Sequence, residues 1–162
     1  MVEPTDAPRL RGIRYGVDVG KARVGVARCD PDGVLASPVA TLRRDRKRGS
    51  DLTELTGLIT EWEAVLVYVG LPVNLRGAST ASTQDAVDYA RELQQRLQGA
   101  GSEAEVRLVD ERLTTVSAQR QLHEAGRTVK DSRSVIDQAA AVAILEQALE
   151  TEHGAPAGTS LT

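Results

Sequence analysis

The sequence predicts an α/β fold built on a five-stranded mixed sheet, three antiparallel strands and then two parallel ones, flanked by helices. Three observations carry that expectation. Between Arg14 and Leu42, short extended runs are joined by tight turns, as in an antiparallel meander. Beyond them, apolar strands alternate with segments of helical period, the pattern of parallel strands linked by crossovers. One of those strands, Ala64-Val65-Leu66-Val67-Tyr68-Val69-Gly70, is almost wholly apolar, as expected where helices cover both faces of a sheet.

The elements follow in order. Arg14 to Val19 is the first strand, with Tyr15, Val17 and Val19 favouring extended backbone. Arg23 to Cys29 is the second, and Asp30-Pro31-Asp32-Gly33 is a turn signal after it. Val34 to Leu42 returns as the third, where Pro38 is tolerable only at an edge or a bulge. Arg43-Arg44-Asp45-Arg46-Lys47-Arg48-Gly49 is a dense basic run, read either as a solvated loop or as a contact to a phosphate backbone. Ser50 or Asp51 is expected to cap a helix whose apolar positions are Leu52, Leu55, Leu58, Ile59 and Trp62. Thr80 to Leu97 is a long helix with Ala86, Tyr89, Ala90, Leu93 and Leu97 on one stripe, stopped by Gly99, Gly101 and Ser102. Glu105 to Asp110 is the fifth strand. A helix is expected to follow Leu113-Thr114-Thr115 through Leu122, then a loop from Ala125 to Ser132. The last helix, Val135 to Leu149, is rich in Ala.

The 162 residues suit one domain, taken as 12–150, between an N-terminal tail 1–11 and a disordered C-terminal tail 151–162. With no Phe, one Trp and three Tyr, the core must be Val, Leu, Ile and Ala, which favours close packing of helix on sheet. The net charge of −3 gives no overall basic field, so any nucleic-acid contact must rest on local patches. No apolar run could span a bilayer, and Met1 to Arg11 lacks the apolar core of a signal peptide. Cys29 is the single cysteine, so no intramolecular disulfide can form, although one between subunits of a symmetric dimer could. The expected compartment is reduced and cytoplasmic, with no membrane partner.

The chemistry concentrates in acidic residues. Asp18, in Tyr15-Gly16-Val17-Asp18-Val19-Gly20, lies in a strand where an ionised carboxylate is costly to bury without a partner. It could simply end the strand and accept N–H groups from the following turn, or it could help to hold a metal. Asp110-Glu111 ends the fifth strand, at the carboxyl edge where open α/β sheets place their sites. Asp137 opens the last helix, and Ala139, Ala140, Ala141 and Ala143 leave little bulk to keep that helix from the sheet. Three carboxylates gathered at one point repel one another, and Mg2+ or Mn2+ removes the conflict with hard oxygen ligation. Two such ions, about 3.5–4 Å apart, can activate water and stabilise a leaving oxygen in phosphodiester hydrolysis. The bland alternatives are a salt-bridged strand end at Asp110-Glu111-Arg112 and a helix-dipole role for Asp137.

Four blocks in sequence resemble the YqgF/RuvX family: Gly16-Val17-Asp18-Val19-Gly20 with Arg23-Val24-Gly25-Val26-Ala27, Val69-Gly70-Leu71-Pro72, Asp110-Glu111-Arg112-Leu113-Thr114-Thr115, and Asp137-Gln138-Ala139-Ala140-Ala141. The resemblance runs from about Arg14 to Leu149. It implies an RNase H-like fold and a metal-dependent nuclease, with Asp18, Glu111 and Asp137 as catalytic carboxylates and ligands of Mg2+ or Mn2+. It implies a nucleic-acid partner, either the precursor of 16S rRNA cut at its 5′ end or a four-way DNA junction. Junction resolution calls for two matched cuts and hence a homodimer, whereas RNA trimming is open to a monomer. Candidate phosphate contacts are Lys21, Arg23, Asn74, Arg76, Arg112, Thr114, Thr115, Lys130 and Arg133. Thr114 and Thr115 could equally be plain helix caps, and Arg112 could pair with a carboxylate. Two competing readings are a non-catalytic ribosome or nucleic-acid binding module, and an actin-like phosphotransferase suggested by the Asp18-Val19-Gly20 turn.

Overall fold

Side-chain alternation decides which residues of this sheet meet which helices. The structure is a computed structural model that describes residues 11–72, 79–111, 130–154 and 159–160. Its strands are β1 (Arg14–Val19), β2 (Arg23–Cys29), β3 (Ala36–Arg43), β4 (Leu66–Leu71), β5 (Glu105–Asp110) and a two-residue β6 (Thr159–Ser160). Its helices are α1 (Ser50–Glu61), α2 (Ala81–Gly99) and α3 (Lys130–Gly154). The sheet order is β3-β2-β1-β4-β5-β6. β3, β2 and β1 pair antiparallel, while β1, β4 and β5 pair parallel. The mixed five-stranded sheet is therefore as expected, with β6 added antiparallel on the edge of β5.

Tyr15, Val17 and Val19 of β1, Val24 and Val26 of β2, and Val67 and Val69 of β4 form one core with Leu52, Leu55 and Ile59 of α1 and Ala86, Ala90 and Leu93 of α2. The alternate residues face α3. Ala27, Cys29, Leu66, Tyr68 and Val109 pack there on Ala140, Ala141, Ile144, Leu145 and Ala148. Because side chains alternate with period 2, Gly16 and Asp18 of β1, Arg23 and Gly25 of β2, and Gly70 of β4 share the face that α3 covers.

Glycines let that helix come close. A Cβ at Gly16 would lie 2.6 Å from the Ala141 carbonyl oxygen, and one at Gly70 would lie 2.5 Å from Ile144 Cδ1. A Cβ at Gly25 would overlap the Asp137 carbonyl oxygen itself. The far end of α3 is tied by charge. Glu152 accepts a 2.6 Å bond from Arg14, whose side chain is 3% exposed, and a second bond from the Tyr68 hydroxyl. Burial and the neighbouring Glu152 carboxylate push the Tyr68 phenol up, so it stays protonated as a donor.

Several boundaries differ from expectation, each for a local reason. β3 starts at Ala36 because Asp30 Oδ1 takes the N–H groups of Val34 and Leu35 at 2.9 and 2.7 Å, which extends the turn. Pro38 sits on the edge strand, beside the register shift at Val26/Ala27. The N-cap of α1 is Gly49 in a left-handed conformation (φ 68), not Ser50 or Asp51. Asp45 takes over the capping, accepting the Ser50 hydroxyl at 2.7 Å and its N–H at 3.3 Å. Asp51 is buried instead. Thr80 caps α2 in a reciprocal pair with Thr83, and the helix runs on to Gly99. α3 begins at Lys130, inside the segment expected to be a loop, and continues to Gly154, past the end of its apolar period. Thus residues 151–154 and Thr159–Ser160 of the expected disordered tail belong to regular elements. The expected helix through Leu122, the expected loop from Ala125 as far as Val129 and the tail Met1 to Leu10 lie outside the described residues.

Gly25→Ala is expected to lift α3 at Asp137 and to lower the unfolding free energy by about 3 kcal/mol, the upper end for overpacking against backbone. Urea titration with far-UV circular dichroism reads the loss.

Candidate active site

The first candidate, Asp18, is 3% exposed near the end of β1 and pairs across the hairpin with Gly25. The backbone of Asp137 passes directly over that glycine. Asp18 and Asp137 are therefore neighbours on one face of the sheet, as the clustering of carboxylates requires. Glu111 is 4% exposed and follows β5 at its carboxyl end. It stands two residues beyond Val109, which packs against α3, and one residue past the end of β5.

The carboxylates do not form a finished ligand cluster. Among the described residues, no three His, Cys, Asp or Glu side chains are arranged to hold a metal ion. One reason is topological: β4 lies between β1 and β5, which places the strands bearing Asp18 and Glu111 about 10 Å apart. The other is an ion pair. Arg23 Nε donates to Asp137 Oδ2 at 2.7 Å, with the two side chains 33% and 16% exposed. Arg23, expected at a phosphate, is thus bound to a candidate catalytic acid. The donor set nonetheless fits a divalent cation of the Mg2+ type. All its ligands are hard oxygens, and two of them are buried carboxylates, where a cation offsets the cost of burying charge.

The turn joining β1 to β2 carries Lys21, which is exposed at the mouth of this face. Gly20 N–H bonds the Arg23 carbonyl at 2.8 Å. Arg44 then fastens the turn from outside: its Nη1 donates to the Gly20 carbonyl at 2.8 Å and its backbone N–H to the Ala22 carbonyl at 2.9 Å. The same guanidinium grips Asp85 of α2 through two bonds of 2.9 and 3.1 Å, lies 3.7 Å from Asp51 of α1, and sits 5.0 Å over the Tyr89 ring. Bonds from Arg44 hold the Asp85 carboxyl below the usual carboxylate range. Sequence reasoning missed Arg44, because nothing in a run of five cations marks one as buried. Gly25 was seen as part of a motif, and its role as the seat of Asp137 was not.

The remaining candidates divide. Lys130 and Arg133 lie on α3, seven and four residues ahead of Asp137, hence on one stripe of the helix. Asn74, Arg76, Arg112, Thr114 and Thr115 lie outside the described residues. Cys29 is buried under α3, and that burial pushes its thiol pKa up. Among the described residues no helix is long and apolar enough to cross a membrane.

Residues 12–151 match the family model described as RuvX, Holliday junction resolvase. The chain belongs to the RuvX family. A relative from Mycobacterium bovis, named "Putative pre-16S rRNA nuclease", is 54% identical over 149 residues, 92% of this chain and 85% of that protein. Relatives of the same name from Mycobacteroides abscessus and Mycobacterium ulcerans are 51% and 55% identical over 140 residues, covering 86% of this chain and 82% and 79% of theirs. Among solved structures, Thermus thermophilus RuvC in complex with a Holliday junction substrate superposes with a TM-score of 0.61 at 12% identity, covering 91% of this chain and 99% of that one. The likeness to RuvC shows the RNase H-like fold. Family and relatives together make this RuvX-family chain a nuclease, a hydrolase of phosphodiester bonds.

Arg44→Ala is expected to cost about 3 kcal/mol of stability, because it leaves Asp51 and Asp85 without their buried cation; thermal and urea unfolding measure it. The pH dependence has a defined sign. A carboxyl lowered in the folded state contributes its stability above the unfolded value, about 3.9, and loses it as pH falls through the lowered one. Asp85→Asn should therefore flatten the acid limb of the stability profile below about pH 4.

Proposed function

We propose that this chain is a metal-dependent endonuclease that trims the 5′ end of precursor 16S rRNA, with Asp18, Glu111 and Asp137 as its catalytic carboxylates. The observation that supports it most is Asp137 seated over Gly25, the cross-strand partner of the buried Asp18. Two acids 119 positions apart in the chain have no structural need to meet at a strand end. The RNA is favoured over the junction because the relatives above half identity carry the ribosomal name, whereas the RuvC likeness stands at 12% identity. The family description favours the second reading, cleavage of a four-way DNA junction.

In this reading Asp18 and Glu111 would hold the cation once their side chains converge across β4, and Asp137 would complete the set with its Oδ2 freed from Arg23. Mg2+ or Mn2+, when bound, lowers the pKa of the attacking water and stabilises the leaving oxygen. Arg23 then has two places for its charge, the Asp137 carboxylate before substrate arrives and a phosphate oxygen after. Lys21, on a turn fixed by Arg44, meets the backbone beside the scissile phosphate. Of the candidates outside the described residues, Arg112, Thr114 and Thr115 closely follow Glu111 in the chain, and Asn74 and Arg76 closely follow β4. The cytoplasm is the compartment this substrate implies, and one protomer suffices for a single cut. A non-catalytic binding module would have no use for buried acids at a strand end, and an actin-like phosphotransferase clamps its nucleotide between two such domains.

The test is cleavage of a precursor 16S rRNA fragment and a four-way DNA junction side by side, with product mapping. The expected result is metal-dependent cutting of the RNA at its 5′ flank, abolished by chelation and restored by Mg2+ or Mn2+. Asp18→Asn and Glu111→Gln should each slow it on the order of 100-fold or more. Cutting at the parent rate by Asp18→Asn removes the catalytic assignment, and faster cutting of the junction moves the substrate to DNA.

A further inference from the structure

The basic run is two structures in one. Arg44 points inward to Asp85, Asp51 and the Gly20 carbonyl, with a side chain 9% exposed. Arg46 pairs with the same Asp85 at 3.3 Å. Arg43, Lys47 and Arg48 are exposed, and none of the three makes an ion pair or side-chain hydrogen bond among the described residues. This occurs in a chain with 23 acids against 20 Lys and Arg, where neutralising partners are not scarce. Asp88 and Glu92 of α2 line the cavity behind the run, but Asp88 accepts from Gln84 and Glu92 from Arg96.

The run is also built rather than loose. Asp45 accepts the backbone N–H groups of Lys47 and Arg48 at 3.3 and 3.1 Å and the Ser50 hydroxyl at 2.7 Å, which folds the segment into a fixed turn. Register joins it to the candidate site. Arg43 is the direct cross-strand partner of Arg23. Thr41, two residues before it, faces α3 and accepts from Gln138 at 3.1 Å, so Arg43 shares the face of Arg23 and Asp137. Like charges directly opposite on neighbouring strands destabilise a sheet. Asp137 neutralises Arg23, and Arg43 is left for an anion that arrives from outside.

We propose that Arg43, Lys47 and Arg48 form a phosphate track that carries the sugar–phosphate backbone of the nucleic-acid substrate from the carboxylate face out along the edge of β3. The track adds a direction to the nuclease reading, on which its orientation rests: substrate leaves the site over β3 and the turn before α1. The fixed turn backbone lowers the ordering cost of bringing these side chains to phosphate, and such contacts position a backbone without reading sequence.

The test reads binding rather than cutting. Every protein carries Asp18→Asn to suppress cleavage. Anisotropy of a labelled precursor rRNA stem and of a labelled four-way DNA junction is followed over a KCl series. The triple variant Arg43→Gln/Lys47→Gln/Arg48→Gln should lower the slope of log affinity against log salt by about 2–3 units, as expected for three lost phosphate contacts. A control that removes the same charge elsewhere, Arg11→Gln/Arg91→Gln/Arg107→Gln, should keep the parent slope. Should the triple variant melt early, Lys47→Gln/Arg48→Gln touches only exposed turn side chains and should still remove about 1–2 units. A parent slope in these variants, an equal loss in the control, or a parent whose binding ignores salt overturns the track. If the variants lose slope as expected while the protein with Asp18 intact cuts neither substrate, the nuclease reading is overturned and the track stays in place.

Discussion

The distance at which α3 crosses the sheet is the constraint on which the rest depends. A helix packed on ordinary side chains would ride about 10 Å above the strands, too far for its backbone to touch them. Gly16, Gly25 and Gly70 remove the strand side of that spacing, and Ala140, Ala141 and Ala148 remove the helix side. The absence of Phe belongs to the same arrangement, since large rings between these layers would push them apart. Only at this separation does Asp137 reach the strand pair that holds Asp18.

The charged residues around the site fall into two buried groups with different work. One, Arg14 with Glu152 and Tyr68, fastens α3 to β1 and β4 at the end away from the acids. The other, Arg44 with Asp85, Asp51 and the Tyr89 ring, fastens the β1–β2 turn to the two helices on the opposite face. Each places a full charge in a poor solvent for it, and each is tolerated because its partners are within hydrogen-bond reach. The carboxylate face lies between them, held by one anchor through a helix and by the other through a turn.

Much of this was legible in the chain because it is written locally. Period-2 alternation marks β1 and β2 at their observed bounds, an unbroken apolar run marks β4, and Thr80 announces α2. That Asp18 would be buried follows from the valines on either side of it. Pairings across the chain were not legible. Arg23 and Asp137 are 114 residues apart, and Arg44 and Asp85 are 41 apart, so neither pair leaves a mark on its own neighbourhood. β6 comes from a Gly- and Thr-containing stretch with no strand character, and the open edge of β5 supplies its pairing. The start of α3 was misplaced because Lys130 to Arg133 carry no apolar period, and the helix there is a continuation of its buried part.

The tether at Glu152 has a further meaning when α3 is treated as a rigid rod. Fifteen residues separate it from Asp137, a lever arm of about 22 Å at 1.5 Å per residue. A tilt of about 3° at the fulcrum swings the other tip by about 1 Å, the scale on which reacting groups lose alignment. The accuracy of the carboxylate face is therefore governed from the remote end of the molecule, where an arginine and a phenol share one glutamate.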